Sequence, residues 1–230
     1  EIKHWRWNLK NMDTMVLHKG EVFERVFVNE EVNLRIDQEA GSHVKIHVIN
    51  APFSIAVNQL EEGCKTEIYG LEHLHGEEKV IAETHVTHAV GGGTSNQLIE
   101  FVLDDHARGH FIGDLKIAPE AQQVEAHQTN RNLLLSENAE MRTQPQLEIY
   151  ADDVQATHGA STGQLDESAL FYMQQRGIDE HEAKLLLEFA FVGEVIDQIK
   201  LEPLRDRLHL LVEKRFRGEL AKCAGCRICK

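Results

Sequence analysis

A mainly β domain followed by a small α-helical one is what this sequence predicts, and three observations carry the prediction. Residues 20–160 hold short runs rich in β-branched and aromatic residues, separated by turn-formers. No long amphipathic helical pattern interrupts them. Past residue 165 the apolar positions change to spacings of three and four behind acidic capping residues. Hydrophobic residues make up 42% of the 230, enough to fill a core in each part. The expected division is a β domain over 1–165 and a helical domain with a cysteine-rich tail over 166–230. Because the sequence opens on Glu1, an N-terminally truncated β domain is expected.

The clearest β runs are Val22-Phe23-Glu24-Arg25-Val26-Phe27-Val28, Val44-Lys45-Ile46-His47-Val48-Ile49 and Leu98-Ile99-Glu100-Phe101-Val102-Leu103. Glu39-Ala40-Gly41-Ser42, Glu61-Glu62-Gly63, Gly91-Gly92-Gly93 and Asp104-Asp105 mark turns between such runs. Many short, evenly spaced strands suit a sandwich, a barrel or a stack of solenoid coils. A local echo favours the stack. Val124-Glu125-Ala126-His127 is followed 30 residues on by Val154-Gln155-Ala156-Thr157-His158, and Met141-Arg142-Thr143-Gln144 falls between them at a similar phase. The pattern alone leaves solenoid and sandwich both open.

In the helical part, Asp166 caps a first helix running to about Arg176, with Gly177 as its stop. Asp179 opens a second helix, and Glu182 three residues later completes a capping-box signature. Leu185, Phe189, Val192, Ile196 and Ile199 form its apolar stripe. A third helix carries Pro203 in its first turn, Leu204, Leu208, Leu211 and Phe216 as its stripe, and Gly218 at its end.

A formal charge of −14 gives a surface that repels phosphate backbones, so no nucleic-acid partner is expected. No apolar run approaches the length of a membrane span, and no charged-then-apolar leader opens the chain, so a cytoplasmic location is expected. Gly63-Cys64-Lys65-Thr66 imitates the tail of a P-loop, but position 58 holds Asn where the upstream glycine is required. Gly91-Gly92-Gly93 lacks a strand-to-helix context and reads as a flexible tip. ATP binding by this chain is not expected. No nucleophile elbow, HExxH site or kinase signature occurs, which leaves an active site assembled from distant strands as the open enzymatic reading. The 14 histidines raise metal handling, against the plainer reading of polar residues on the solvent face of strands.

Cys223-Ala224-Gly225-Cys226-Arg227-Ile228-Cys229 is the most distinctive local pattern. Its spacing lets the thiolates of Cys223, Cys226 and Cys229 converge on zinc, copper(I) or an iron–sulfur centre, with Lys222, Arg227 and Lys230 favouring the thiolate. A fourth ligand is missing nearby, and a frayed tail with incidental cysteines is the plainer alternative. Two further readings stay open at this stage: a β-solenoid polysaccharide lyase or hydrolase with an active site assembled from distant strands, and a metal-binding module centred on the tail. An aromatic content of 6% weighs against a sugar-stacking groove.

The stretch from Ile112 to Ile199 resembles the C-terminal core of the SufB/SufD family. The residues carrying the resemblance are Gly113-Asp114-Leu115-Lys116-Ile117, His127-Gln128-Thr129-Asn130-Arg131-Asn132-Leu133-Leu134-Leu135-Ser136, Gln144-Pro145-Gln146-Leu147-Glu148-Ile149-Tyr150-Ala151-Asp152-Asp153-Val154, Thr157-His158-Gly159-Ala160, and then Leu170-Phe171-Tyr172 with Gln175-Arg176-Gly177-Ile178. The loop His158-Gly159-Ala160 is similar to the SufD branch, because SufB-type members place an acidic residue after the histidine and carry a cysteine that is absent here. Some SufD-type members hold a cysteine two residues before the histidine; here that position is Ala156.

The resemblance implies a right-handed parallel β-helix followed by a helical domain, which resolves the choice left open above. It implies a non-catalytic scaffold for iron–sulfur cluster assembly, without a permanently bound cofactor and with a transient cluster as cargo. It implies edge-to-edge pairing with a SufB-like paralogue, or with itself when isolated, and docking of the ATPase SufC through the C-terminal helices. On this reading His158 is the cluster-assembly ligand at the dimer seam, an imidazole that binds iron more weakly than a thiolate. Glu148, Asp152 or Asp153 would orient the ring.

Overall fold

The computed structural model describes residues 12–219, which fall into two compact units divided between Thr162 and Gly163. The first unit contains twelve strands: β1 (Asp13–Leu17), β2 (Val22–Val28), β3 (Val32–Gln38), β4 (His43–Ile49), β5 (Phe53–Gln59), β6 (Lys65–Leu74), β7 (Lys79–His88), β8 (Thr94–Leu103), β9 (Arg108–Ile117), β10 (Val124–Leu134), β11 (Glu140–Ile149) and β12 (Val154–Gly163). Odd strands form one six-stranded sheet and even strands the other. The registered neighbours pair in parallel, so each odd–even pair is one coil of a β-solenoid. The coil lengthens along the stack. Asp13 lies opposite Leu34, Lys79 opposite Arg108 and Arg108 opposite Glu140. The strands supply much of the growth, from seven residues in β5 to ten in β7.

The echo seen in the sequence is this coil repeat. His127 Nδ1 on β10 lies 2.8 Å from Thr157 Oγ1 on β12, 30 residues later. Met141 instead belongs to the other sheet, opposite Gly109. Alternation sends every second residue inward. Ile36, Val57, Val86 and Leu115 stand in one registered row across the first sheet and are all buried. Burying each such side chain contributes roughly 1.5–3 kcal/mol.

Gly91-Gly92-Gly93 is not the flexible tip that its composition suggests. A Cβ at Gly91 would come within 2.3 Å of the Gln122 carbonyl, and one at Gly93 within 2.1 Å of Gln59 Oε1. The turn is bare because neighbouring coils press against it. Next to it the interior is polar. Gln38, Gln59 and His88 occupy one registered row, all fully buried. Gln38 Nε2 donates to the Ser42 carbonyl at 3.1 Å, Gln59 Nε2 to Thr66 Oγ1 at 2.9 Å, and Thr66 Oγ1 to Gln38 Oε1 at 2.6 Å. His88 Nε2 meets Ser95 Oγ at 2.8 Å, and burial lowers its pKa to about 4.

The second unit holds α1 (Glu167–Gln175), α2 (Glu180–Asp197) and α3 (Glu202–Phe216). Asp166 accepts from the Ser168 and Ala169 amides, and Asp179 from those of His181 and Glu182, as the capping pattern predicts. The reciprocal half of the capping box is not made: the Glu182 carboxylate instead takes Arg217 in a two-point pair at 3.1 and 3.2 Å. A bidentate guanidinium partner outcompetes a single backbone amide. Leu185, Val192, Ile196 and Ile199 are buried as the stripe requires, while Phe189 is half-buried and meets Phe216 edge-on, centroids 5.3 Å apart. No helix among the described residues is long and apolar enough to cross a membrane.

Two outcomes follow for stability. Phe101→Ala, at a fully buried ring, is expected to cost about 3–5 kcal/mol in urea unfolding. His88 stays neutral in the folded chain down to about pH 4, whereas the unfolded chain takes up its proton near the ordinary imidazole value of 6.5. Its contribution is therefore intact above 6.5 and is lost as pH falls toward 4, on the order of 3 kcal/mol in all. His88→Gln should show that much less loss of unfolding free energy between pH 7 and 4; equal losses would refute the assignment.

Candidate functional site

The C-terminal end of the coil stack differs from its middle. Residues 97–103 on β8 are all buried, whereas residues 157–163 on β12 are all exposed. Among the described residues β12 has β10 as its sole sheet neighbour and β11 has β9, so each presents one open backbone edge. β12 is held from below by side chains. Asn132 Nδ2 donates to the Ser161 carbonyl at 3.0 Å and to Thr162 Oγ1 at 3.2 Å. Asn130 Nδ2 in turn donates to the Ile99 carbonyl at 3.0 Å and to Asn132 Oδ1 at 3.0 Å. At the entry to the strand, the Asp153 amide donates to Gln122 Oε1 at 2.8 Å and the Gln123 amide to the Asp153 carbonyl at 2.6 Å. Buried amides thus tie the last coil to the one beneath it, where hydrogen bonds compete with little water.

His158 lies on this outermost strand, exposed. The segment His158-Gly159-Ala160 reads as a loop in the sequence but is extended strand, because β12 continues the coil repeat through it. Val154 and Ala156 pack against the interior, so alternation puts position 158 in the inward row as well. Below it that row runs through Gln128, Gln97, Ile68 and Ile46. Ala156 offers no thiol and is a half-buried packing residue.

The carboxylates expected beside His158 are not brought to it. Glu148 is on β11 in the other sheet, 3.8 Å from Lys116 Nζ and accepting from Tyr150 Oη at 3.4 Å. Asp152 and Asp153 are exposed in the turn before β12, and among the described residues Asp153 engages through its backbone alone. Among the described residues no hydrogen bond or ion pair joins Glu148, Asp152 or Asp153 to the imidazole, and no three His, Cys, Asp or Glu side chains form a metal-holding group. Cys223, Cys226 and Cys229 lie outside the described residues.

Two groupings escape sequence reasoning because register creates them. On the outward face of the first sheet, His85 Nδ1 meets Asp114 Oδ2 at 3.0 Å, and with Thr87, Lys116, Gln146 and Glu148 they line a depression of about 220 Å³. On the second sheet His47 stacks on Tyr69, ring centroids 4.8 Å apart. Burial, then Lys45, lowers the His47 pKa to about 3 against an opposing pull from Glu67, and burial, then Glu67, raises Tyr69 to about 12. Burial works to raise the neighbouring Glu67 carboxyl, but hydrogen bonds from Lys65 and His43 together with the charges of Lys65 and Lys45 outweigh it and hold the group below its ordinary value. His47 and Tyr69 are both neutral near pH 7 and poorly placed for proton transfer there. The signal for either grouping would have been residues spaced by one coil, which requires the coil length first.

Comparison with known proteins places this geometry. The family model described as the SUF system FeS cluster assembly SufBD core domain matches residues 28–191. An iron–sulfur cluster assembly SufBD family protein of Synechocystis is 37% identical over 194 residues, 84% of this chain and 38% of that protein. The iron–sulfur cluster assembly protein SufD of Escherichia coli is 36% identical over 135 residues, 59% of this chain and 32% of its own length, and that of Bacillus subtilis 31% over 162 residues, 66% and 37%. The chain therefore spans less than two fifths of the length of these relatives. The matched core covers the coil stack from the end of β2 through β12 and reaches into α2, and on that ground the chain belongs to the SufB/SufD family of iron–sulfur cluster assembly proteins.

Proposed function

We propose that this chain is the C-terminal part of a SufD-type scaffold, without catalytic turnover of its own, on which iron–sulfur clusters are assembled. The observation that carries the reading is the placement of His158: exposed, on the outermost strand of an open-ended parallel stack, within the residues matched to the SufBD core. An open parallel edge is a template for a second edge. A SufB-like paralogue, or a second copy of this chain, pairs there, and His158 contributes a nitrogen ligand to the nascent cluster across the seam. Imidazole is a competent iron ligand and a weaker one than thiolate, which suits cargo that must leave. Because Glu148, Asp152 and Asp153 do not reach the ring, any orienting role for them belongs to the paired state. The terminal cysteines are proposed as an accessory metal contact.

The helices are the proposed docking surface for the ATPase SufC, in the cytoplasm. Support comes from apolar side chains left outside the helical core: Leu186 and Leu210 are 42% and 49% exposed and line one groove with Phe189, rimmed by Glu182, Asp206, Glu213 and Arg217.

His158→Ala is expected to leave the thermal melting temperature and co-purification with SufB- and SufC-type subunits unchanged and to reduce cluster maturation in cells to the level of a deletion strain. Normal maturation by that variant would overturn the reading. Leu186→Asp combined with Leu210→Asp should abolish SufC co-purification while preserving pairing through the β edge; retained SufC would show that the helices are not its dock.

A further inference from the structure

The interior of the solenoid changes character toward its C-terminal end. Opposite the row Ile46, Ile68, Gln97, Gln128 on the second sheet stands the row Leu34, Ile55, Thr84, Gly113, Pro145 on the first. The first members, Ile46, Ile55 and Ile68, are apolar and fully buried. From the coil of β7 and β8 onward the same column becomes polar: Thr84 and Gln97 are 0% exposed and Gln128 is 1% exposed. Gly113 makes the room, since a Cβ there would stand 2.6 Å from Gln128 Nε2.

These polar groups are not satisfied by one another. Gln128 Nε2 reaches Gln97 Oε1 at a long 3.5 Å, while Gln97 Nε2, Thr84 Oγ1 and Gln128 Oε1 have no hydrogen-bond partner among the described residues. An unmet buried amide or hydroxyl costs roughly 1–3 kcal/mol. A column of them, in a stack whose inner coils are apolar at the same positions, needs a physical reason. The column ends at His158. Side-chain pairs across this step, His127 with Thr157 and Asn132 with Thr162, are each offset by 30 residues, and the same offset carries Gln128 to His158. Neighbouring strands run about 4.8 Å apart, within reach of an amide and an imidazole in one inward row. Among the described residues Gln128 Oε1 accepts no hydrogen bond and the His158 ring is exposed, so the bond between them forms when the ring turns inward along its row.

We propose that Gln128 is a positioning residue for His158. Its side-chain carbonyl accepts the N–H of one ring nitrogen, sets the tautomer and leaves the other nitrogen's lone pair directed at the open edge. Gln97, one coil deeper, braces the Gln128 amide. This rests on the reading of His158 as a ligand only for its purpose; the hydrogen bond itself stands or falls separately. The division fits ligand chemistry, in which the nitrogen that does not bind metal is held by a hydrogen bond that fixes the ring. It also gives Gln128 the role expected above of Glu148, Asp152 or Asp153.

Nitrogen-15 NMR of the histidine rings in the full chain, at a pH well above the ordinary imidazole range, tests it without any cluster present. Unmutated chain should show one dominant His158 tautomer and a nuclear Overhauser contact between the Gln128 side-chain amide and the His158 ring protons. Gln128→Met, nearly the same shape without the acceptor, should move the two ring nitrogens toward the averaged values of free imidazole. Gln97→Met should shift them less. Unchanged His158 nitrogen shifts in a folded Gln128→Met chain would overturn the proposal. Should Gln128→Met not fold, absence of the Overhauser contact in the unmutated chain would overturn it equally. Failure here leaves the maturation phenotype of His158→Ala untouched, so the two ideas fail separately.

Discussion

Everything in the first unit depends on parallel backbone pairing between successive coils. A single coil of two short strands cannot bury its inward side chains, and because its two strands belong to different sheets it leaves their peptide groups without ladder partners. Stacking solves both problems together: His43 over Val22, Lys65 over His43 and Thr94 over Lys65 continue one ladder while their inward neighbours close the core. The ladder also explains the close-packed turns. The Gly63 amide lies 3.9 Å from where a Gly92 Cβ would stand, so turn chemistry on one coil is set by the turn beneath it.

The same constraint gives the stack two unlike regions. In the middle, each inward side chain has a neighbour above and below, and isoleucine, valine and phenylalanine fill most rows beside polar ones such as Gln38, Gln59 and His88. At the last coil that cover ends. Apolar residues there would be left in water, and the chain instead uses Asn130, Asn132, Ser161 and Thr162, whose mutual hydrogen bonds hold β12 without a second sheet neighbour. The result is a polar, backbone-open edge with an exposed imidazole, that of His158, on its last strand. The helical unit obeys separate rules: capped N-termini, an apolar stripe, and an Arg217 bridge joining the start of α2 to the end of α3 through Glu182.

Much of this architecture is legible in the chain itself, and the points where local reading fails share one cause. The helix starts at Asp166 and Asp179 and the stops at Gly177 and Gly218 are readable because capping depends on residues within one turn. The β character of residues 20–160 is readable for the same reason. The partner of Glu182, the packing of Gly91 and Gly93, and the strand at His158 are not. Each is decided by a group far along the chain: Arg217, then Gln122 and Gln59, then the coil of β10. Nearness in sequence assigns the carboxylates of Glu148 and Asp152 to His158, yet a coil of about 30 residues puts Gln128 nearer in space.

By itself the sequence determined that a β region precedes three helices, four of the turns, the helix caps and the family resemblance, because local propensity and short motifs are written in consecutive residues. Only the tertiary structure decided which residues share a row, which polar groups are buried without partners, and which strand is left open at the end. Those depend on coil length and register, and a register is a relation between residues some 20–30 apart that no local pattern states.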